Sequence, residues 1–228
     1  MSRIEKQTLS FLRDLKDHND REWFNENRDR YDAAYENMIA FATSLVTGLG
    51  VHDELVPMTG RQSLFRIYRD VRFSKDKSPY KSAFAGRLKR ASNLRRGGYY
   101  YHVEPGKSII AGGFWGPNNQ DIKRIREEIN VDSTPLRNII TDKNFKKYFG
   151  SLTGDQLKTA PQGYARDHPD IDLLRYKQFL LVRTIEDDDL VTSDHFLKEM
   201  VNTYRQMRPF FDYMSLILTT NANGELIV

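Results

Sequence analysis

The chain has 228 residues, with 35 Lys and Arg against 31 Asp and Glu, and no cysteine. Without thiols there are no disulfide frameworks, thiolate nucleophiles, zinc–thiolate sites or iron–sulfur clusters. A hydrophobic share of 39% and an aromatic share of 12% suffice for a sizeable core and exclude a disordered or low-complexity chain.

The opening MSRIEKQTLSFLRDLKD breaks every short apolar run with charge, so it carries neither a signal-peptide core nor a membrane span. A soluble, cytoplasmic globular protein is expected. The first quarter reads as helix. Thr8 to Asp17 sets Leu9, Leu12 and Leu15 at helical spacing with Phe11 beside them. His18-Asn19-Asp20 then punctuates, and Asn19 or Asp20 can cap a second helix over about 21–47. Phe24, Arg28, Tyr31, Tyr35, Ala42 and Leu45 recur along it at helical steps, and Gly48-Leu49-Gly50 ends it. Trp23 and Tyr31 read as core aromatics.

The middle reads as sheet, over about 62–116. Leu64 to Val71 alternates Phe65, Ile67 and Val71 against Arg66, Tyr68 and Asp70, which predicts a strand, with a helical turn as the alternative. Lys81 to Lys89 alternates Phe84 and Leu88 against Arg87 and Lys89. Tyr99 to Val103 and Ser108 to Trp115 flank Glu104-Pro105-Gly106-Lys107, where proline then glycine suits a type II turn. The result is an antiparallel hairpin with Tyr99, Tyr101 and Val103 on one face and Tyr100, His102 and Glu104 on the other.

The last part returns to helix. Asn118 or Asn119 caps a helix through Asn130, Thr134-Pro135 starts another to about Phe149, and Gln178 to Ile185 is a short strand. From Ser193 to about residue 221, Phe196, Met200, Tyr204, Met207, Phe211, Met214 and Leu218 form a helical stripe, and Pro209 predicts a kink or two helices meeting. The pattern is a single α+β domain: an antiparallel sheet of about four to six strands between N-terminal and C-terminal helices.

Charge is placed unevenly. Between Arg61 and Arg96 stand twelve basic residues opposed only by Asp70 and Asp76, so this segment is +10 and the remainder −6. Such a segment attracts anions unless the acidic remainder neutralises it across the fold. Its densest stretch supplies Arg66, Arg69, Arg72, Lys75, Lys77, Tyr80 and Lys81 as anion-binding candidates. Arginine forks bind phosphate or carboxylate in two parallel hydrogen bonds, and lysines add mobile charge. The competing reading fastens the loop with internal salt bridges to Asp70 and Asp76.

This stretch also resembles a known family, labelled domain of unknown function 2461. Phe11-Leu12 with Leu15, Asn19 to Phe24, and Tyr31 are similar to its N-terminal signature, and Arg69 to Lys81 to its central one. Tyr100 to Gly113, Ile125-Arg126, Ala160 to Gly163, and His168-Pro169 with Leu173, Leu174 and Lys177 follow in the family's order. The resemblance spans essentially the whole chain. It implies a single-domain, bacterial-type protein and carries over no activity, cofactor or catalytic residue.

Catalytic templates fit poorly. Pro105-Gly106-Lys107-Ser108 imitates the end of a P-loop but has Tyr101 where the first glycine belongs. His102-Val103-Glu104 imitates a zinc-deaminase motif without its cysteines. Glu186-Asp187-Asp188-Asp189 lacks the spacing of a calcium loop and reads as a solvated acidic loop. No metal site is expected, and no motif identifies a cofactor. His102 with Glu104, and Asp70, remain as weak acid–base candidates. His168 beside Asp167 has a loop-anchoring alternative, and Trp115 after Gly112-Gly113 reads as core packing before ligand stacking.

Three readings follow. The first is an anion-binding module for a phosphate-containing ligand, either a phosphorylated small molecule or a nucleic-acid backbone. The second is an enzyme acting on a phosphorylated or carboxylated substrate. The third is a structural or protein-interaction domain whose basic motif is an internal ion-pair network. No membrane partner is expected, and the oligomeric state is not legible.

Overall fold

The computed structural model describes residues 2–221 and 223–227. Helix α1 (Lys6–Asp17) buries Leu9, Phe11, Leu12 and Leu15, the stripe that predicted it. Helix α2 (Arg21–Glu26) starts where the Asp20 carboxylate accepts the Trp23 N–H at 2.9 Å. The expected helix over 21–47 is in fact two. At Asn27 the side-chain amide donates to the Trp23 carbonyl at 3.0 Å, competing with the helical ladder, and α3 (Arg28–Gly50) starts afresh. A capping box between Thr59 and Gln62 opens the short α4 (Gly60–Ser63).

The strand expected over 64–71 does not form. Only isolated bridges occur there, Leu64 to Gly86 and Tyr68 to Tyr80. Arg69 N–H donates to the Pro79 carbonyl and Lys81 N–H to that of Ile67, but Pro79 has no N–H with which to extend the ladder. Leu64 and Ile67 are buried while Phe65 and Tyr68 are exposed, so burial does not follow a period of two.

The sheet consists of β1 (Phe84–Lys89), β2 (Gly98–Val103), β3 (Ser108–Phe114) and β4 (Phe179–Ile185). It is open and antiparallel, and its strand order, β1-β2-β3-β4, follows the chain. The β2–β3 turn is the expected one: Lys107 N–H donates to the Glu104 carbonyl at 3.1 Å, and Gly106 has φ +70°. Tyr99, Tyr101 and Val103 are buried, whereas Tyr100, His102 and Glu104 are half-buried on the opposite face.

Between β3 and β4 come α5 (Asn119–Val131), α6 (Thr134–Thr141), α7 (Lys143–Phe149) and α8 (Ile171–Leu174). Asn118 caps α5. The helix expected over 134–149 is split at Asp142, whose carboxylate accepts the Asn144 and Phe145 N–H groups and so starts α7. After β4 come α9 (Asp188–Val191), α10 (Phe196–Gln206) and α11 (Arg208–Thr219), with Pro209 in the first turn of α11. The fold is α+β, an antiparallel sheet with helices at both ends of the chain.

The chain forms two compact units. The first comprises Met1–Leu88, Tyr100–Ile110 and Thr184–Asn202. Within it Phe24 stacks on Tyr80 at 3.9 Å and Phe41 on Phe196 at 5.9 Å. The second comprises Lys89–Tyr99, Ala111–Arg183 and Thr203–Val228. Here the Arg90 side chain, 1% exposed, donates to Asp212 at 3.1 Å and to the Arg96 carbonyl at 2.9 Å. Gly113, at φ +141°, lies against the Phe179 carbonyl where a Cβ would collide. Trp115 is 40% exposed and so is not the core residue expected.

Candidate functional site

Within the first unit, the end of α1, the 65–69 and 76–85 segments and the polar face of β2 enclose a hollow of about 480 Å³. That volume lies in the range of small-molecule sites. Asn19 fixes one wall: its amide donates to the Tyr80 carbonyl and its oxygen accepts the Tyr80 N–H, both at 3.1 Å. The chain at Tyr80 is thereby fastened to the turn after α1.

Of the predicted anion-binding residues, Arg69, Tyr80 and Lys81 line the hollow, and Arg66, Arg72, Lys75 and Lys77 do not. Arg69 is held through Nη1 by Asp76, whose other oxygen accepts from the Ser78 N–H and hydroxyl at 2.9 and 2.6 Å. The Ser78 and Arg69 bonds hold the Asp76 carboxyl well below the usual carboxylate range. Lys81 is different. Its ammonium donates to the Arg66 carbonyl at 2.8 Å and lies 5.9 Å from the centre of the Phe65 ring. Among the described residues no carboxylate pairs with it. Burial, then the charge of Arg66, lowers its pKa.

Asp70 does not reach the hollow. It takes the Arg72 fork in two bonds of 2.9 and 2.7 Å, and these bonds lower its pKa. The Tyr80 ring, stacked on Phe24, is committed to packing. Across the whole basic segment, Arg61, Arg69, Arg72, Arg90 and Arg96 pair with Glu36, Asp76, Asp70, Asp212 and Asp121. Of the two expectations for the segment, internal neutralisation is the one these pairs realise: the chain's own acids take several of its cations.

The polar face of β2 contributes a hydrogen-bonded run. Tyr100 Oη lies 3.2 Å from His102 Nδ1, and His102 Nε2 lies 2.9 Å from Glu104 Oε2. A carboxylate only accepts, so Nε2 carries the proton and, in the neutral ring, Nδ1 accepts from the phenol. Burial, then the nearby Glu104 charge, raises the Tyr100 pKa, so the phenol stays protonated near neutrality. Lys16 of α1 stands 3.8 Å from Glu104. All four side chains line the hollow. Its charged groups are Lys16, Arg69 and Lys81 against Asp76 and Glu104, a formal +1 with His102 neutral.

The remaining candidates resolve structurally. His168 accepts the Asp170 N–H through Nδ1 at 3.0 Å and meets Asn130 through Nε2 at 3.1 Å, anchoring its loop. In the acidic run, Asp187 caps α9 and Asp188 pairs with Arg13 at 2.6 Å and accepts the Gly106 N–H. Among the described residues no group of three or more His, Asp or Glu is placed to hold a metal ion, and no helix is long and apolar enough to cross a membrane.

Fold and site together define an α+β protein with a cation-lined hollow against one sheet face. The conserved hypothetical protein family DUF2461 matches residues 7–213, and the chain belongs to that family. No curated protein and no solved structure matches it.

Proposed function

We propose that the hollow binds a small phosphorylated molecule, with Lys81 and Arg69 taking the phosphate. The observation that carries this reading is Lys81: a partly buried ammonium on the hollow, held by a backbone carbonyl and matched by no carboxylate among the described residues. A dianion restores the counter-charge that this ammonium lacks. Arg69 supports the reading because Asp76 engages Nη1, while a guanidinium has further N–H groups on Nε and Nη2.

Inorganic phosphate is the probe. At ten times its dissociation constant it stabilises the protein by about 1.4 kcal/mol, or roughly 3–6 °C in melting temperature for a chain of this size. Lys81→Gln and Arg69→Gln each remove that shift, and sodium chloride at matched ionic strength does not produce it. An equal shift in both variants, or none in the unaltered protein, rejects the reading.

Phe73, 96% exposed beside Arg72, Lys75 and Lys77, favours a second reading in which a nucleic-acid strand lies along the outer loop with a base on the ring. It predicts binding of single-stranded DNA that weakens steeply with salt and with Phe73→Ala. Binding that is flat with salt counts against it.

A further inference from the structure

Successive side chains on one strand face stand two residues apart, close enough for neighbours at i and i+2 to meet. On β2 this spacing places a phenol, an imidazole and a carboxylate in one hydrogen-bonded line, 3.2 and 2.9 Å between the bonded atoms. The line has a direction. Glu104 accepts from Nε2, Nδ1 accepts from Tyr100, and the phenol oxygen keeps lone pairs with which to take a proton from a third group. A phenol that gives its own proton to the imidazole while receiving another is a general base without ever carrying a full charge. The cations that would hold an anionic substrate, Arg69 and Lys81, line the same hollow.

We propose that this hollow is an active site for hydrolysis of phosphate monoesters, with Tyr100 as the catalytic residue and His102 and Glu104 acting through it. The proposal rests on the phosphate-binding reading above. The oxygen of a water molecule forms a bond to phosphorus as the bond from phosphorus to the ester oxygen breaks, its electron pair leaving with that oxygen. One water proton moves to Tyr100 Oη, and the phenol proton moves to His102 Nδ1, giving an imidazolium that faces the Glu104 carboxylate. Solvent protonates the departing alkoxide on the opposite face of phosphorus, and the imidazolium returns its proton through Tyr100 to solvent, which restores the relay. The products are an alcohol and hydrogen phosphate, and no oxidant, reductant or further reactant is consumed. Arg69 and Lys81 neutralise the equatorial phosphoryl oxygens as charge spreads over them.

The groups around the relay all bear on its proton balance: Lys16 from α1 beside Glu104, and Arg69, Asp76 and Lys81 from the segments that complete the hollow. Lys16 opposes no step directly, but its charge draws on the same carboxylate that must stabilise the imidazolium.

The test uses the full chain with p-nitrophenyl phosphate and glycerol 3-phosphate as substrates and inorganic phosphate as a separate binding probe. Steady release of inorganic phosphate is expected. Tyr100→Phe and His102→Gln should lower kcat by about 100-fold or more while KM and phosphate affinity stay within about twofold. Glu104→Gln should fall between them and the unaltered protein. Circular dichroism melts establish that each variant is folded, and Arg69→Gln with Lys81→Gln identify any contaminating phosphatase, which neither change would touch. Phosphate binding without turnover of either ester overturns the relay and leaves the binding reading standing. Turnover that survives Tyr100→Phe also overturns the relay. Failure of the unaltered protein to bind phosphate overturns both.

Discussion

Gly86→Ala tests the packing behind the hollow. Gly86 lies in β1, and a Cβ built on it would sit 2.3 Å from Tyr101 Oη, 2.4 Å from Tyr101 Cζ and 2.6 Å from the Ser63 carbonyl oxygen. Ordinary contact starts near 3.4 Å, so the ring and the end of α4 must each withdraw by roughly 1 Å. Neither is free to do so. Tyr101 is fully buried, its hydroxyl lies 2.8 Å from Ser63 Oγ, and Ser63 Oγ donates to the Gly60 carbonyl at 2.7 Å. Overpacking of this kind costs about 1–3 kcal/mol, and losing the Tyr101–Ser63 bond adds about 1 kcal/mol. The melting temperature should fall by roughly 5–15 °C, followed by circular dichroism and matched by a lower urea midpoint. Gly50→Ala is the control: nothing lies within 4 Å of its Cβ, and at the end of α3 alanine should be neutral or stabilising. Because Tyr101 stands between Tyr100 and His102, Gly86→Ala should also shrink the phosphate-induced shift. A Gly86→Ala protein melting within 2 °C of the unaltered chain, or no better than Gly50→Ala, refutes this reasoning.

Asn19→Ala removes both bonds to the Tyr80 backbone and should cost about 1–3 kcal/mol and weaken phosphate binding, read by the same melts with and without phosphate. Asp212→Ala withdraws the carboxylate from a buried guanidinium and should destabilise by about 3 kcal/mol, more than Arg90→Met, which removes the charge along with the need for a partner; the reverse order in urea unfolding contradicts it. Asp76, with its pKa depressed by Ser78 and Arg69, fastens its loop at all pH values above the ordinary carboxylate range. The fastening should persist below that range and fail as pH falls through the depressed value, seen as faster amide exchange at residues 74–78; loss already near pH 4 refutes it. Burial pushes the Tyr31 and Tyr213 phenols up to about 12, so part of the ultraviolet phenolate signal should still be missing at pH 11. Complete ionisation by pH 11 in the folded protein contradicts that.

Local pattern made most of the fold legible. The apolar steps of α1, the Asp20 and Asn118 caps, the Pro105-Gly106 turn and the strand at 179–185 all depend on neighbours within a few residues. The misreadings also have local causes that compete with periodicity. Asn27 and Asp142 each interrupt an apolar rhythm with a side chain that satisfies backbone groups, and a hydrophobic count does not register this. At 64–71 the alternation was present, but a strand needs a donor-bearing partner along its length, and Pro79 denies it one.

The hollow was legible on one side only. Tyr100, His102 and Glu104 fall on one face by strand alternation alone, so their meeting follows from β2 itself. Lys16 and Asn19 carry no such signal, because the helix end that holds them is brought to Tyr80 and Glu104 by folding and by no spacing in the chain. Net charge carries no information on pairing in the same way. The +10 segment left anion attraction and internal pairing both open, and Asp70 and Asp76 within it and Glu36 from α3 each take an arginine. What separates Lys81 from those arginines is its partner: a carbonyl oxygen orients an ammonium but does not discharge it. A cation oriented in that way at a hollow retains most of its attraction for an anion, whereas an arginine already closed on a carboxylate must first give that bond up.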